Sequence, residues 1–506
     1  MPSILRRRAT AGGIRRKRAQ ANGPGPVQKR SVKASRIRRE PREFTVSLSY
    51  SGGKWKLPGR REYDREISRS FSLQPQFAGA AMSDDLKDMY RRIVADGFPD
   101  TLTLTLGDTV LTYAKRVWNM GGEVRGLRYG ENPDQPAALY ELREGRNTLA
   151  DRTWRAPGQG VVSALTEGQM LQAGKHPGKT NLTDVDNAAN ILQYLTGRPA
   201  AAIMKHNNPC GAAWADNLPD AVDRAFWCDR IAAFGGAVVV NRPVDKATAE
   251  FLASQYFEVV AAPAYEEGVA DILKSRKNLR VLLLPGLGRL EEWCGTPFLD
   301  IKSLTDGGLV LQQSFVNRIR SVDDFIPATG TDKDGATAVA RKPDRRELDD
   351  LLFAWAVEAG VTSNSVIFAR DGATVAIGTG EQDRVGCVEL AIHKAYTKYA
   401  DVLAFRRHKL SLYELQQKAL TDAEAAAQLD AVNADTRAAR GGLPGSVLVS
   451  DGFFPFRDGV DTAIAQGVSA IAQPGGSIRD YEVVQACNEA APQVAMVFTG
   501  QRSFKH

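Results

Sequence analysis

Lys205 and His206 stand side by side in the stretch Lys205-His206-Asn207-Asn208-Pro209-Cys210-Gly211, offering proton transfer next to a fixed positive charge. An imidazole titrates near neutrality, and an ammonium can stabilise an oxyanion or deliver a proton. The pair follows Ala200 to Met204, an apolar run that reads as a short buried strand. Asn208-Pro209 and Gly211 read as stopping that strand and forcing a turn. Apolar runs seldom end in two such groups, because burying them without partners is costly. A solvated strand end accounts for these seven residues equally well, so the chemistry needs support from elsewhere in the chain.

Three more stretches run from an apolar strand into a polar or glycine-rich loop. Val447-Leu448-Val449 leads into Ser450-Asp451-Gly452-Phe453-Phe454-Pro455-Phe456-Arg457-Asp458. Ala470-Ile471-Ala472 leads into Gln473-Pro474-Gly475-Gly476-Ser477, and Ala495-Met496-Val497-Phe498 leads into Thr499-Gly500-Gln501-Arg502 and on to His506. Upstream lies Arg128-Tyr129-Gly130-Glu131-Asn132-Pro133. In this order, from Val124 to His506, the motifs resemble the transformylase half of the bifunctional AICAR transformylase/IMP cyclohydrolase of purine biosynthesis.

That resemblance implies an α/β fold of two tandem lobes of cytidine-deaminase-like topology, with the active site completed across a homodimer. It implies formyl transfer from 10-formyltetrahydrofolate to the 5-amino group of AICAR ribonucleotide, giving FAICAR, in the cytoplasm. Lys205, His206 and Asn364 would then carry the chemistry. Arg128, Tyr129, Glu258, Phe453 and Arg502 would bind the nucleotide, and Asn208, Phe454, Pro455 and Arg384 the folate. Asp451, with Ser363 and Ser365, would fall at the family's potassium site. Lys179-Thr180-Asn181-Leu182-Thr183-Asp184 also fits a family segment, without an assigned role. Two departures stand out: Asp383 replaces the usual serine before Arg384, and Gly452 replaces the usual alanine.

Read without the resemblance, these residues say less. Thr362-Ser363-Asn364-Ser365 is an ordinary capping turn before the strand Val366-Ile367-Phe368. Gly378 and Gly380 ahead of a helix can cradle an anion, but two glycines are weak evidence. Arginine matches phosphate bidentately, which favours Arg128 and Arg502 as a clamp. Zinc-dependent deamination is excluded, since no histidine has Glu two residues on and Pro209-Cys210 lacks the second cysteine.

Elements must hold these residues in place. From about 150 to 320, helical patterns at 182–196, 218–228 and 245–255 alternate with apolar runs at 200–204, 236–240, 258–262, 280–284 and 308–312. Such alternation predicts α/β architecture. Ser321 to Arg346 reads as a linker or surface loop between a first lobe over 82–320 and a second over 347–506. The second has a helix at 347–361, strands near 365–369 and 374–378, a helix at 385–399, and a polar helical stretch at 411–440. Ahead of the first lobe, a capped helix runs from Ser83 to Gly97, and Leu102, Leu104 and Leu106 with Gly107-Asp108 signal a hairpin.

Composition restricts the alternatives. The five cysteines are widely spaced with no C-x-x-C, which argues against a disulfide framework and a structural zinc. Residues 1–81 hold 20 basic and 5 acidic groups, leaving 46 and 54 for the remainder, so the net +7 belongs to an arm and the rest is mildly acidic. That balance disfavours a nucleic-acid-binding function beyond non-specific contact through the arm. A silent nucleotide-binding regulator is disfavoured because Lys205 and His206 are both present. A formyltransferase using formate with ATP is the nearest rival, although no G-x-x-x-x-G-K-[ST] loop occurs. Only about 45 residues separate Met82 from Arg128, too few for an independent cyclohydrolase core, so ring closure to IMP is expected of a separate enzyme.

Residues 1–81 themselves lack apolar periodicity and read as a disordered basic arm. A polyanion-binding arm, a targeting peptide and an over-long start all fit, the last best, because patterned sequence begins at Met82. A chain beginning at Met82 should therefore fold and keep the kinetic constants of the full chain. Only salt-dependent adhesion to polyanions should be lost. Loss of turnover on trimming would make the arm part of the enzyme.

Overall fold

A computed structural model of the chain describes residues 93, 95–145 and 160–506, together with the backbone of 49–51, 54–56, 148–149 and 152–153. The chain divides into two units, Met1–Gln76 and Phe77–His506. In the first, Ser49–Ser51 pairs antiparallel with Lys54–Lys56; the rest of the expected arm lies outside the described residues. So does the helix expected over 83–97, except for residue 93 and residues 95–97, which are not helical.

The second unit opens with the expected hairpin, β1 (Thr101–Leu106) and β2 (Thr109–Arg116), joined on its far side by β3 (Leu139–Glu144). Its centre is a twelve-stranded sheet, counted among the described residues. The strands are β4 (Met170–Gln172), β5 (Ala200–Lys205), β6 (Asn208–Trp214), β7 (Ala237–Val240), β8 (Val259–Ala262) and β9 (Arg280–Leu283). They continue with β10 (Ile326–Pro327), β11 (Val366–Arg370), β12 (Ala373–Gly378), β13 (Val447–Ser450), β14 (Ala470–Gln473) and β15 (Ala495–Phe498). Across the sheet the order is β4-β9-β8-β7-β5-β6-β12-β11-β13-β14-β15-β10.

That order is one pattern used twice. Each half has a hairpin (β5–β6, β11–β12), a strand antiparallel to the hairpin's first member (β7, β13) and two more strands parallel to that one. An antiparallel edge strand that precedes the hairpin in sequence closes each half. Four helices matter here: α1 (Lys179–Leu192), α2 (Leu218–Cys228), α3 (Arg345–Glu358) and α4 (Arg384–His408). α1 and α3 occupy the same place in their halves, between edge strand and hairpin, and each has 14 residues. The expected α/β architecture of two like lobes is therefore the observed one.

Helices cover both faces, so β7, β8, β13, β14 and β15 are buried throughout and read as apolar runs, with only Ser450 and Gln473 polar at their ends. On the face of α1 and α3 a single apolar layer runs across both halves, from Val185 and Ala202 to Phe353 and Val449. On the other face the layer is split. Ile203 packs with Val222 of α2 in one cluster, and Phe368 with Val388 of α4 in another.

Several expectations change. The apolar run at 308–312 is not in the sheet; Leu309–Gln313 pairs with Leu299–Ser303 as an exposed hairpin. Residues 321–346 are more than a linker. They carry β10 and a hairpin of Thr329–Asp332 with Gly335–Ala338, because their Asp and Gly residues supply its turn. The helix expected to end at 399 continues to His408, capped by left-handed Lys409.

The largest change concerns the Lys-His stretch. The turn is His206-Asn207, with φ of 56° and 59°, and the strand resumes at once with Asn208. Two left-handed residues make the turn that suits the twist of a two-residue hairpin. Pro209 does not stop β6, because it pairs with Met204 at a register shift, where proline is tolerated. Gly211 makes no turn either. A Cβ there would lie 2.2 Å from the Ala225 carbonyl oxygen and 2.7 Å from Cys228 Cβ, both on α2. Glycine at 211 lets that helix lie against the strand. Gly211→Ala should lower unfolding free energy by about 1–3 kcal/mol in denaturant titration; an unchanged midpoint would refute the close approach.

Candidate active site

One end of the sheet gathers nearly every candidate residue. There β5 turns into β6, the strands β7, β8, β9 and β11 begin, and β12, β13, β14 and β15 end. His206 is exposed at the turn and Lys205 is half-buried, its Nζ donating to the Phe234 carbonyl at 2.8 Å. The turn is seated on α1. Asn207 N–H donates to Asp184 Oδ1 at 2.6 Å, and Asn187 Nδ2 donates to the Asn207 carbonyl at 2.8 Å and to the Gly360 carbonyl at 2.9 Å.

Asn208 joins the halves. Its Oδ1 accepts the Thr362 amide at 2.9 Å and the Thr379 hydroxyl at 3.0 Å, one from each side of the β11–β12 hairpin. Two residues past Thr362, Asn364 is half-buried, and its Oδ1 accepts from Arg384 Nη2 at 2.9 Å. The same guanidinium pairs with Asp451 and donates to the Ser365 carbonyl at 3.1 Å. Asp451 also accepts the Ser363 hydroxyl at 2.5 Å.

Arg384 is thus committed to partners within the protein rather than free to bind a folate. It is 8% exposed and spent on Asp451 and Asn364. The two departures from the family pattern accompany this. A Cβ at Gly452 would lie 2.5 Å from Arg384 Nη2, so glycine leaves room for the buried guanidinium. Asp383 is the N-cap of α4, accepting the Gly386 amide at 2.6 Å, so its own carboxylate fills the helix end where an anion was expected. Phe454 is a second correction. It is fully buried in the core beside Val388 and Val460 and cannot line a folate pocket. Phe453 is half-buried beneath Arg502, whose guanidinium lies 5.0 Å from the ring centre, while Pro455 is half-buried and Phe456 exposed.

Arg128 is 5% exposed, lies over the Tyr129 ring at 4.5 Å and donates to the Tyr129 hydroxyl at 2.8 Å. Its Nε is buried with no hydrogen-bond partner among the described residues. Glu258 precedes β8 and is held by Asn181 and by Arg280, each at 3.2 Å.

Sequence reasoning missed four groups. Asp184 lay in a motif with no role. Arg280, 1% exposed, opens β9 and carried no motif. Lys505 donates its backbone amide to the Ser363 hydroxyl at 3.1 Å and its ammonium to the Gly360 carbonyl at 3.3 Å; burial lowers its pKa to about 8, against the pull of Asp186 and Asp184. Glu358, fully buried at the end of α3, pairs with the Ser365 hydroxyl at 2.5 Å, and burial with Asp451 nearby pushes its carboxyl well above the usual range. Only the runs Lys179 to Asp184 and Arg502 to His506, which hold Asp184 and Lys505, gave any signal in the sequence.

The fold defines an α/β protein of two like halves, with Lys205, His206 and Asn364 at the end of the sheet where the halves join. Residues 63–394 match the model of the family described as the AICARFT/IMPCHase bienzyme. The bifunctional purine biosynthesis protein PurH of Roseobacter denitrificans is 38% identical over 387 residues, covering 75% of this chain and 59% of that protein. Those of Nostoc sp. and Aquifex aeolicus are each 35% identical, over 386 and 380 residues, covering 60% and 59% of their lengths and 76% and 75% of this chain. The chain belongs to the AICARFT/IMPCHase bienzyme family. It spans about three fifths of the length of these relatives. Among the described residues no helix is long and apolar enough to cross a membrane.

Burial raises the Asp184 carboxyl from 3.8 to about 6, although the Asn207 amide and His206 pull it down. Between about pH 4 and 6 the folded protein keeps a proton that the unfolded chain has lost. This group's contribution to stability therefore falls as pH rises through that window, by on the order of 2–3 kcal/mol. The free-energy difference between the parent and Asp184→Asn should shift by that amount against the parent across the window. A difference that does not change with pH would contradict the buried carboxyl.

Proposed function

We propose that this chain transfers the formyl group of 10-formyltetrahydrofolate to the 5-amino group of AICAR ribonucleotide, giving FAICAR. The observation that carries the reading is Asn208, whose side chain ties the Lys205-His206 turn of one lobe to the Thr362 backbone just ahead of Asn364 in the other. An acid–base pair and a carboxamide thereby share one end of the sheet.

The acceptor amine is delocalised into the imidazole carboxamide and is a weak nucleophile. His206 takes its proton as the bond to the formyl carbon forms. Lys205 stabilises the tetrahedral oxyanion and supplies a proton to N10 as the C–N bond breaks. Arg384 occupies Oδ1 of Asn364, which leaves the NH2 of that side chain to donate to the formyl oxygen. Arg128 and Arg502 clamp the phosphate, with Tyr129 and Glu258 alongside. Phe453, with Asn208 and Pro455 nearby, lines the ring-binding surface. A homodimer is part of the reading: the hairpin of Leu299–Ser303 and Leu309–Gln313 leaves Ile301, Leu309, Val310 and Leu311 exposed, apolar surface that a second copy would cover.

The residues expected to hold potassium fit it poorly. Asp451 is already balanced by Arg384 and engaged by Ser363, and Ser365 is engaged by Glu358. No step here passes through a potassium ion.

His206→Ala should lower turnover by at least ~10²-fold with little change in AICAR ribonucleotide affinity, measured as tetrahydrofolate formation and by calorimetry. Near-normal turnover would overturn the assignment. Turnover with formate and ATP but not with the folate would favour the rival donor.

A further inference from the structure

The doubled fold contains one device in duplicate, and only one copy lies under the chemistry. α1 and α3 each carry an aspartate at the sixth position, Asp184 and Asp350. Each is buried, at 5% and 2% exposure, and each accepts at least one backbone amide from the two-residue turn of its own hairpin. Asp350 takes the Asp371 amide at 3.0 Å and the Gly372 amide at 2.7 Å. Asp184 takes the Asn207 amide at 2.6 Å, and the His206 amide acts on it as well. All four turn residues have left-handed φ, from 54° to 73°.

The antiparallel contact of β6 with β12, Ala213 opposite Ala373, puts the two turns at opposite ends of the sheet. The second turn includes a glycine, for which left-handed φ is free. The first has His206 and Asn207, which adopt that conformation more readily than most residues but less freely than glycine. The anchors also differ in counter-charge. Asp350 has Arg346 at 2.9 Å, whereas Asp184 lies within the influence of His206 and Lys505.

We propose that Asp184 is a positioning residue for the reaction, locking the left-handed turn so that His206 and Lys205 emerge at fixed angles. The carboxylate reaches no substrate. It acts by holding the Asn207 amide of the turn, and a proton gained by His206 arrives beside it. Asp350 does the same structural work at the far end of the sheet, where no catalytic side chain depends on it. The proposal rests on the formyl-transfer reading for its catalytic consequence, but the anchoring is separable from it.

The test compares Asp184→Ala, Asp184→Asn and Asp350→Asn in the full chain. Kinetics and thermal unfolding are read with ring resonances of His206, assigned by their loss in His206→Gln. Asp184→Ala should lower kcat at least about tenfold, with KM for AICAR ribonucleotide within about threefold, as expected for a misplaced catalytic group. Asp184→Asn keeps one acceptor oxygen and should recover part of the loss; it also serves if the alanine variant does not fold. Asp350→Asn should lower the melting temperature while kcat stays within about twofold. The His206 resonances should move in both Asp184 variants and not in Asp350→Asn. Equal kcat losses at the two aspartates, or unmoved His206 resonances in a folded Asp184 variant, would overturn the proposal. If the parent chain transfers no formyl group but the resonances move as stated, the function fails and the anchor stands.

Discussion

Everything at this site depends on how two hairpins meet. β6 and β12 run antiparallel at the centre of the sheet, with Ala213 opposite Ala373. Their direction is what brings the end of β12 alongside the His206-Asn207 turn and lets Asn208 reach Thr379 and Thr362. Had the halves met the other way, the Lys-His pair and the Asn364 carboxamide would sit at opposite ends of the sheet. The site is therefore a property of the junction. Neither lobe holds it alone.

Around that junction, charge is handled by burial and pairing. Asp451 and Arg384 neutralise each other within reach of Asn364, so the carboxamide is aimed by an ion pair that water scarcely reaches. Buried pairs of this kind are weak evidence for stability, because desolvating both partners is costly. Their value here is geometric: a planar guanidinium fixes three oxygens at once.

Much of the scaffold could be read from periodicity and turn chemistry. Val259 to Ala262 and Val447 to Val449 are apolar without interruption, and their burial on both faces explains why. Lys205 and His206 stood out because two ionisable groups at the end of an apolar run demand a reason, and they open the hairpin turn at the end of the sheet where the halves join. Pro209 and Gly211 misled, since proline usually ends a strand and glycine usually marks a turn. Here a register shift accommodates the one, and a helix pressed against the strand requires the other. Phe453 and Phe454 are adjacent and alike in sequence, yet one lies beneath Arg502 and the other in the core. No composition signal separates two neighbours of the same type. Arg280 was invisible for a related reason: it matters through His176, far away in the chain.

The two faces of the sheet are not equivalent, and this bears on how the protein comes apart. Beneath α1 and α3 the apolar layer is shared by both halves, whereas under α2 and α4 it is divided. A hinge between lobes would have to shear the shared layer and expose Val185, Ala202, Phe353 and Val449 together. Repeated architecture usually invites piecemeal opening, each unit fraying on its own. In this chain the common layer couples the repeats, so the halves should melt as a single cooperative block, with loosening confined to the divided face.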